Sequence, residues 1–304
     1  MAQASADGPV TDAGTLDPAF AARPLDEAFT PWVEVVGGFS EIDSDATGLG
    51  SESTTFGVAL GAEWANPERD TVAGVFFGYT DTSTDIDTLS DESDTLNLQL
   101  GVYGTHRLDD HWSVNATASV SYLQFDTERS TTSGTASADF DGLGLYGTVE
   151  ALYDLNPDED WVISPLGGLE ASFIDRQGYT ETGAGALNLD VQDDSNTFLT
   201  TLLGVQVAGT LDTEAFRLTP SARVAWALQT LDDNASTTSS FTAAPASTFT
   251  TDGAARTRSS ARIDVGLDLQ PQDSQNWNAF ARYTTDLTDG AQDHVVRLGV
   301  RFAF

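Results

Sequence analysis

The chain has 304 residues, with 13 basic against 47 acidic side chains and a net charge of −34, and every basic residue is an arginine. Such a field repels nucleic acid, and the absence of cysteine excludes disulfides and cysteine-based metal sites. Mean hydropathy is −0.20, and no apolar run reaches about eighteen residues, which excludes helical membrane spans but not a membrane β-barrel, whose apolar residues are diluted by alternation.

Residues 1–29 read as a linker with at most a short helical piece around Pro18 to Arg23. Pro18 suits a first helical turn and Pro24 would stop it. Asp7, Asp12, Asp17, Asp26 and Glu27 face a single cation, Arg23. The segment has neither a basic start nor an apolar centre, so an export signal is expected upstream of it.

From Thr30 onward a period of two takes over, the period of a strand whose faces meet different media. Strand one, from Pro31 to Ser40, sets Val33, Val35 and Phe39 on one face. Strand two, Thr54 to Trp64, sets Phe56, Val58, Leu60, Ala62 and Trp64 against Thr55, Gly57, Ala59, Gly61 and Glu63. Strands three (Thr71 to Asp81), four (Thr95 to Arg107), five (Trp112 to Phe125), six (Phe140 to Tyr153) and seven (Trp161 to Ile174) repeat the alternation. The eighth, near Thr197 to Ala208, is the least regular, and its phase is open by one residue. The ninth opens at Phe216, the tenth runs from Ser259 to Leu269, and the eleventh opens at Trp277. A twelfth, His294 to Phe304, sets Val296, Leu298, Val300, Phe302 and Phe304 against Val295, Arg297, Gly299, Arg301 and Ala303.

The fold expected is all-β: a 12-stranded antiparallel transmembrane β-barrel over residues 30–304, with residues 1–29 as a segment in its lumen. An even strand number suits a single-chain outer-membrane barrel, and segments of about ten residues cross the hydrocarbon when tilted. The connections alternate between short ones (Asn66–Asp70, Leu108–His111, Asn156–Asp160, Gly209–Thr213, Pro271–Gln275) and long ones (Glu41–Ser53, Thr82–Asp94, Thr127–Asp139, Gln177–Asn196, Thr230–Arg258, Asp286–Asp293). That rhythm belongs to a barrel with periplasmic turns and outer loops, and a Greek-key sandwich has no reason to keep it. Trp64, Trp112, Trp161 and Trp277 all fall beside short turns, which reads as one interfacial girdle at the headgroup level, and the barrel as a whole is expected to meet outer-membrane lipid and lipopolysaccharide. Trp32 also lies at that end, but its parity is wrong for the lipid face.

On this phase the inward charge separates into two arcs. Glu34, Glu63, Glu150 and Glu170 come from strands one to seven, whereas Arg217, Arg223, Arg262, Arg282, Arg297 and Arg301 come from strands nine to twelve. Inward glycines, among them Gly57, Gly61, Gly74, Gly101, Gly266 and Gly299, leave room for an occupant. The acidic N-terminal segment, through Asp17, Asp26 or Glu27, is one candidate partner for the arginines. The other arrangement is a lumen whose opposite charges pair across the wall.

Chemistry-bearing constellations are few. His111-Trp112-Ser113 places a base and a hydroxyl on one strand face, but no orienting carboxamide or carboxylate accompanies it, so no catalytic residue is assigned. The loops are rich in Asp, Ser and Thr without a calcium-loop spacing, so they read as hydrated surface, with no metal or cofactor expected. An asparagine-based cleavage inside the pore is not expected, since the first asparagine is Asn66.

The stretches PWVEVVGGFS, TTFGVALGAEW, TVAGVFFGYT and the closing RLGVRFAF resemble the translocator domain of autotransporters, the type V secretion family, with the likeness extending over residues 30–304. The resemblance implies a barrel in the bacterial outer membrane that anchors and aids export of its own N-terminal passenger. It also implies a linker in the lumen and a terminal aromatic, here Phe302 or Phe304, read by the barrel-assembly machinery. Two departures stand out: no passenger is present, and Pro24 interrupts the segment where a pore-filling helix would lie. The reading is a non-enzymatic, monomeric translocator, with a stand-alone porin or adhesin-like barrel as the alternative.

Overall fold

The computed structural model describes residues 29–302, except for 45–48, 67–69, 87–90, 158, 232–235, 253–257 and 274–275. Of the expected lumen segment, residues 1–29, all but Phe29 lie outside the described residues, as does the terminal Phe304. The elements in chain order are β1 (Thr30–Ile42), β2 (Ser51–Asn66), β3 (Thr71–Ile86), β4 (Glu92–Arg107), β5 (Trp112–Thr131), β6 (Gly134–Tyr153), β7 (Trp161–Arg176), β8 (Tyr179–Thr180), β9 (Leu189–Val191), β10 (Asp194–Gly209), β11 (Leu211–Asp212), β12 (Phe216–Leu231), β13 (Ser236–Phe241), β14 (Thr248–Asp252), β15 (Ser259–Pro271), β16 (Trp277–Thr288) and β17 (Ala291–Phe302). A single 3-10 turn, Gly185–Leu187, is the helical content among the described residues.

Twelve long strands pair antiparallel in the order β10-β7-β6-β5-β4-β3-β2-β1-β17-β16-β15-β12, and β10 pairs with β12 to close the ring. β1 meets β17 over eleven rungs, from Trp32 opposite Arg301 to Ile42 opposite Ala291. Closure leaves no strand edge in the ring, so the backbone N–H and C=O groups of the wall are paired strand to strand rather than with water. One face is apolar and exposed: Phe56 at 61 %, Leu100 at 60 % and Val224 at 54 %. Their strand neighbours Thr55, Gln99 and Arg223 are buried in the lumen. A molecule with its large apolar side chains outside and its carboxylates and guanidinia inside inverts the arrangement of a water-soluble domain.

The eighth stave is irregular in sequence for a structural reason. β10 keeps register with β7 from Asp194 to Gly209, but against β12 the register slips between Leu199 and Thr200, leaving Thr230 as the extra residue of a bulge. The phase is nevertheless fixed: Leu202 is buried inward and Leu203 is exposed outward. Apolar residues stand at both parities, which hides the alternation.

Three of the expected long loops are largely strand. β3 runs on to Ile86 and β4 begins at Glu92. β5 and β6 leave only residues 132–133 between them, and β16 and β17 leave only 289–290. Beyond the apolar band the outer face of a strand meets water instead of lipid, so hydropathic alternation ends although backbone pairing continues. Side-chain rungs take over: Thr55 with Thr82 at 2.8 Å, Ser53 with Thr84 at 2.9 Å, and Ser83 donating to Asp94 at 2.6 Å.

Two of the other three long connections, Gln177–Asn196 and Thr230–Arg258, carry a second sheet, in the order β14-β13-β9-β8. It packs on the inner side of the extended wall: Tyr179 stacks on Phe140 at 4.2 Å, and Phe140 on Phe125 at 4.8 Å. Arg129 clasps it, donating from Nε and Nη2 to Glu181 at 3.0 and 2.6 Å and to the Leu187 carbonyl at 2.9 Å. The hydrogen bond to Glu181 raises the Arg129 pKa, while burial, reinforced by the Glu181 charge, pushes the Tyr179 phenol up to about 12.

Candidate functional site

The lumen collects the side chains that can do work. At the short-turn end the indole N–H of Trp32 donates to the Tyr103 hydroxyl at 2.7 Å, and that hydroxyl donates to Glu63 Oε1 at 2.8 Å. Trp32 therefore has inward parity because its polar atom is bonded inside the barrel. Arg301 Nε faces Glu63 Oε1 at 3.7 Å, and its guanidinium lies 4.3 Å from the centre of the Phe280 ring.

The inward glycines are filled by rings of this same chain. A Cβ on Gly61 would stand 2.5 Å from the Trp32 ring, and Cβ atoms on Gly74, Gly101 and Gly299 would run into Tyr103, Phe76 and Phe280. Each aromatic lies over the bare backbone of its neighbouring strand, which covers a weak strand position with a large apolar contact. The room that the sequence leaves at these four positions is thus occupied.

The charged arcs meet across the lumen. Arg223 on β12 donates through Nη1 to Glu150 Oε2 on β6 at 3.1 Å, and its Nη2 pairs with Glu150 Oε1. Arg262 on β15 donates through Nη1 to Glu170 Oε2 on β7 at 2.9 Å. Two strands separate the members of each pair along the wall, so the bonds are chords across the bore. Arg282 pairs with Asp268 on the adjacent strand, and Arg301 Nη1 reaches Asp268 at 3.3 Å and Asn278 at 3.2 Å.

Arg217 shares the inward parity of the other arginines but stands at the rim, 49 % exposed and 2.9 Å from Asp212 in the turn. That ion pair, with a hydrogen bond from Gln272, holds the Asp212 carboxyl below its usual range. Glu34 is buried in the lumen on β1, at 5 % exposure, and Arg297 has the same inward parity on β17. Both take part in interactions.

The basic arc is not purely basic. Asp264, Asp268 and Asp286 sit on β15 and β16 beside the arginines. Asp286 escapes a sequence reading that places it in a loop, although continuing the even-numbered parity of Asn278, Arg282 and Thr284 by one rung finds it. Tyr103 escapes because an inward tyrosine is indistinguishable in sequence from any other small or polar inward residue.

On the outer wall Trp64, Trp112 and Trp161 are between 43 and 46 % exposed beside the short turns. Trp277 is half-buried there, and Phe302 is exposed at the end of β17. Trp226 lies toward the opposite end and donates to Ser259 at 2.6 Å. The His111 ring is held by other groups: Nδ1 donates to the Asp154 carbonyl at 2.6 Å and the ring stacks on Tyr153. Among the described residues no group of three or more histidines and carboxylates is placed to hold a metal ion.

A closed ring of twelve tilted strands, greasy outside and charged within, defines an outer-membrane β-barrel. The family model described as the autotransporter beta-domain matches residues 31–284, so the chain belongs to the autotransporter β-domain family and is an outer-membrane translocator. Proteins of that family are transporters rather than enzymes. The fold is shared with the translocator domain of the autotransporter NalP from Neisseria meningitidis, at 16 % identity and TM-score 0.72 over 92 % of this chain and 91 % of that one. It is shared too with the β domain of the Bordetella autotransporter BrkA (16 %, TM-score 0.64, 91 % and 100 %) and with the transport unit of AIDA-I from Escherichia coli (17 %, TM-score 0.64, 94 % and 94 %). No curated protein sequence matches the chain.

Proposed function

We propose that a passenger polypeptide joined ahead of residue 30 is carried outward through this lumen, and that the barrel then serves as its membrane anchor. The observation that carries the reading is the position of β1. Thr30 pairs with Glu63, next to the short β2–β3 turn, so a polypeptide continuing upstream enters at the short-turn mouth. In a closed ring the path from there to the long-loop side runs through the bore. Residues 1–29 are its linker, and Asp17, Asp26 and Glu27 pass the arginine arc on the way.

The exposed ring of Trp64, Trp112 and Trp161, joined by Trp277, anchors the short-turn end at the lipid headgroups, while the long-loop end meets lipopolysaccharide. Phe302 and Phe304 on the closing strand are the handle for the barrel-assembly machinery. The protein works as a monomer without catalysis or cofactor, since its lumen acts by shape and charge alone.

The test fuses an export signal and a small folded reporter ahead of residue 1 in a Gram-negative host. Added protease is expected to remove the reporter from intact cells. A reporter that stays protected inside cells whose barrel is correctly inserted would overturn the reading.

A further inference from the structure

Two arginines in the bore each hold carboxylates on two different walls. Arg223 binds Glu150 across the lumen, while its Nε faces Asp264 Oδ2 on the neighbouring strand β15 at 3.7 Å. That distance is too long for a hydrogen bond but short enough to close by a small rotation of the guanidinium. Arg262 binds Glu170 across the lumen at 2.9 Å and is also held by Asp286 on the neighbouring strand β16, with Nε at 3.0 Å and Nη2 at 2.9 Å. The design repeats: one carboxylate across the bore and one beside the arginine on its own side of the ring.

We propose that Arg223 and Arg262 are latches that set the free bore of the pore, with Glu150 and Glu170 as the releasable catches and Asp264 and Asp286 as the retaining ones. Breaking a buried ion pair is costly chiefly because it strands an uncompensated charge. Here a guanidinium that lets go of the glutamate three strands away remains against a carboxylate on the adjoining strand. The lumen can therefore exchange a bridged arrangement for an open one without leaving a bare cation, and the released glutamate, buried while bridged, is hydrated by the water that enters the opened bore. Two walls that differ in which carboxylate they contribute form a two-position element, and a polypeptide in the bore favours the open position by occupying the chord. The proposal rests on the translocator reading for the occupant, but the latch itself is a property of the barrel.

The test is single-channel conductance of the full refolded chain in planar bilayers, each variant first verified as folded by its heat-dependent electrophoretic mobility. E150Q/E170Q is expected to raise the mean conductance about twofold or more. E150D/E170D keeps the charge and shortens the arm; it is expected to raise conductance as well, and it guards against a folding defect in the first variant. D264N/D286N removes the retaining carboxylates and is expected to make openings rarer than in the wild type. Conductance unchanged in both glutamate variants, or raised as much by D264N/D286N, would overturn the latch. If the conductance pattern holds while the reporter stays inside the cell, the export reading fails and the latch stands. Surface display with unchanged conductance removes the latch alone.

Discussion

Trp32 on β1 donates its indole N–H to the hydroxyl of Tyr103 on β4 at 2.7 Å, a bond between residues 71 apart in sequence. It ties two staves separated by β2 and β3 and leaves the Tyr103 O–H to donate to Glu63. A buried chain of this kind is satisfied only as a unit. Tyr103→Phe removes the donor to Glu63 and the acceptor for Trp32, and is expected to cost about 2 kcal/mol, the scale for leaving buried polar groups without partners. Trp32→Phe loses one neutral bond and is expected to cost about 1 kcal/mol. Urea unfolding in detergent, followed by the heat-dependent mobility shift, measures both.

The glycines beneath the aromatic rings make a second prediction. Gly74→Val drives a branched side chain into Tyr103, and Gly101→Val does the same to Phe76. Overpacking on this scale costs roughly 1–3 kcal/mol, and the damage is expected to appear as slow or incomplete closure of the ring during refolding. Gly37→Val is the control, because nothing lies within 4 Å of its added Cβ.

Outside the membrane, carboxylates face one another on the extended strands. Asp126 is directly opposite Asp94 on β4 and Asp139 on β6. Burial, then the charges of Asp139, Asp94 and Glu128, raise its pKa. A carboxyl whose folded pKa lies above its unfolded value binds more protons when folded. The hairpin therefore gains stability as pH falls toward the unfolded carboxylate range and loses it as pH rises through the folded pKa. Asp126→Asn is expected to stabilise the β5–β6 extension by a few tenths of a kcal/mol per relieved pair. Slower hydrogen exchange of its amides at neutral pH, with the difference shrinking in acid, is the readout.

The Arg129–Glu181 clasp holds the second sheet against the wall. Glu181→Gln leaves the guanidinium against a neutral partner and is expected to loosen the sheet by roughly 2 kcal/mol, less than a fully buried pair because Arg129 is partly exposed. Limited proteolysis between residues 177 and 193 is expected to speed up while the barrel keeps its heat-dependent mobility.

The wall was legible in the sequence because each lipid-facing stretch must alternate, and Phe56, Val58 and Leu60 on β2 leave no other phase. Legibility stopped at the membrane boundary. Thr82, Thr84 and Asp94 alternate in nothing that a hydropathy reading detects, yet they pair rung by rung. It also stopped at β10, where Phe198, Leu199, Leu202 and Leu203 place apolar groups on both faces beside a bulge. In the lumen, parity indicated which charges point inward. It carried no information on which of them meet, because Arg223 and Glu150 are brought together by the tilt of the strands and the closure of the ring.

Along every stave of the ring outward parity means lipid and inward parity means a lumen. Single nitroxide labels at Phe56, Leu100 and Val224, and at their neighbours Thr55, Gln99 and Arg223, measure this directly in reconstituted bilayers. The predicted result is high collision with oxygen for the first set and low for the second, repeated on all three strands. Oxygen collision that fails to follow parity, or is low at all six positions as in a packed water-soluble core, would contradict it.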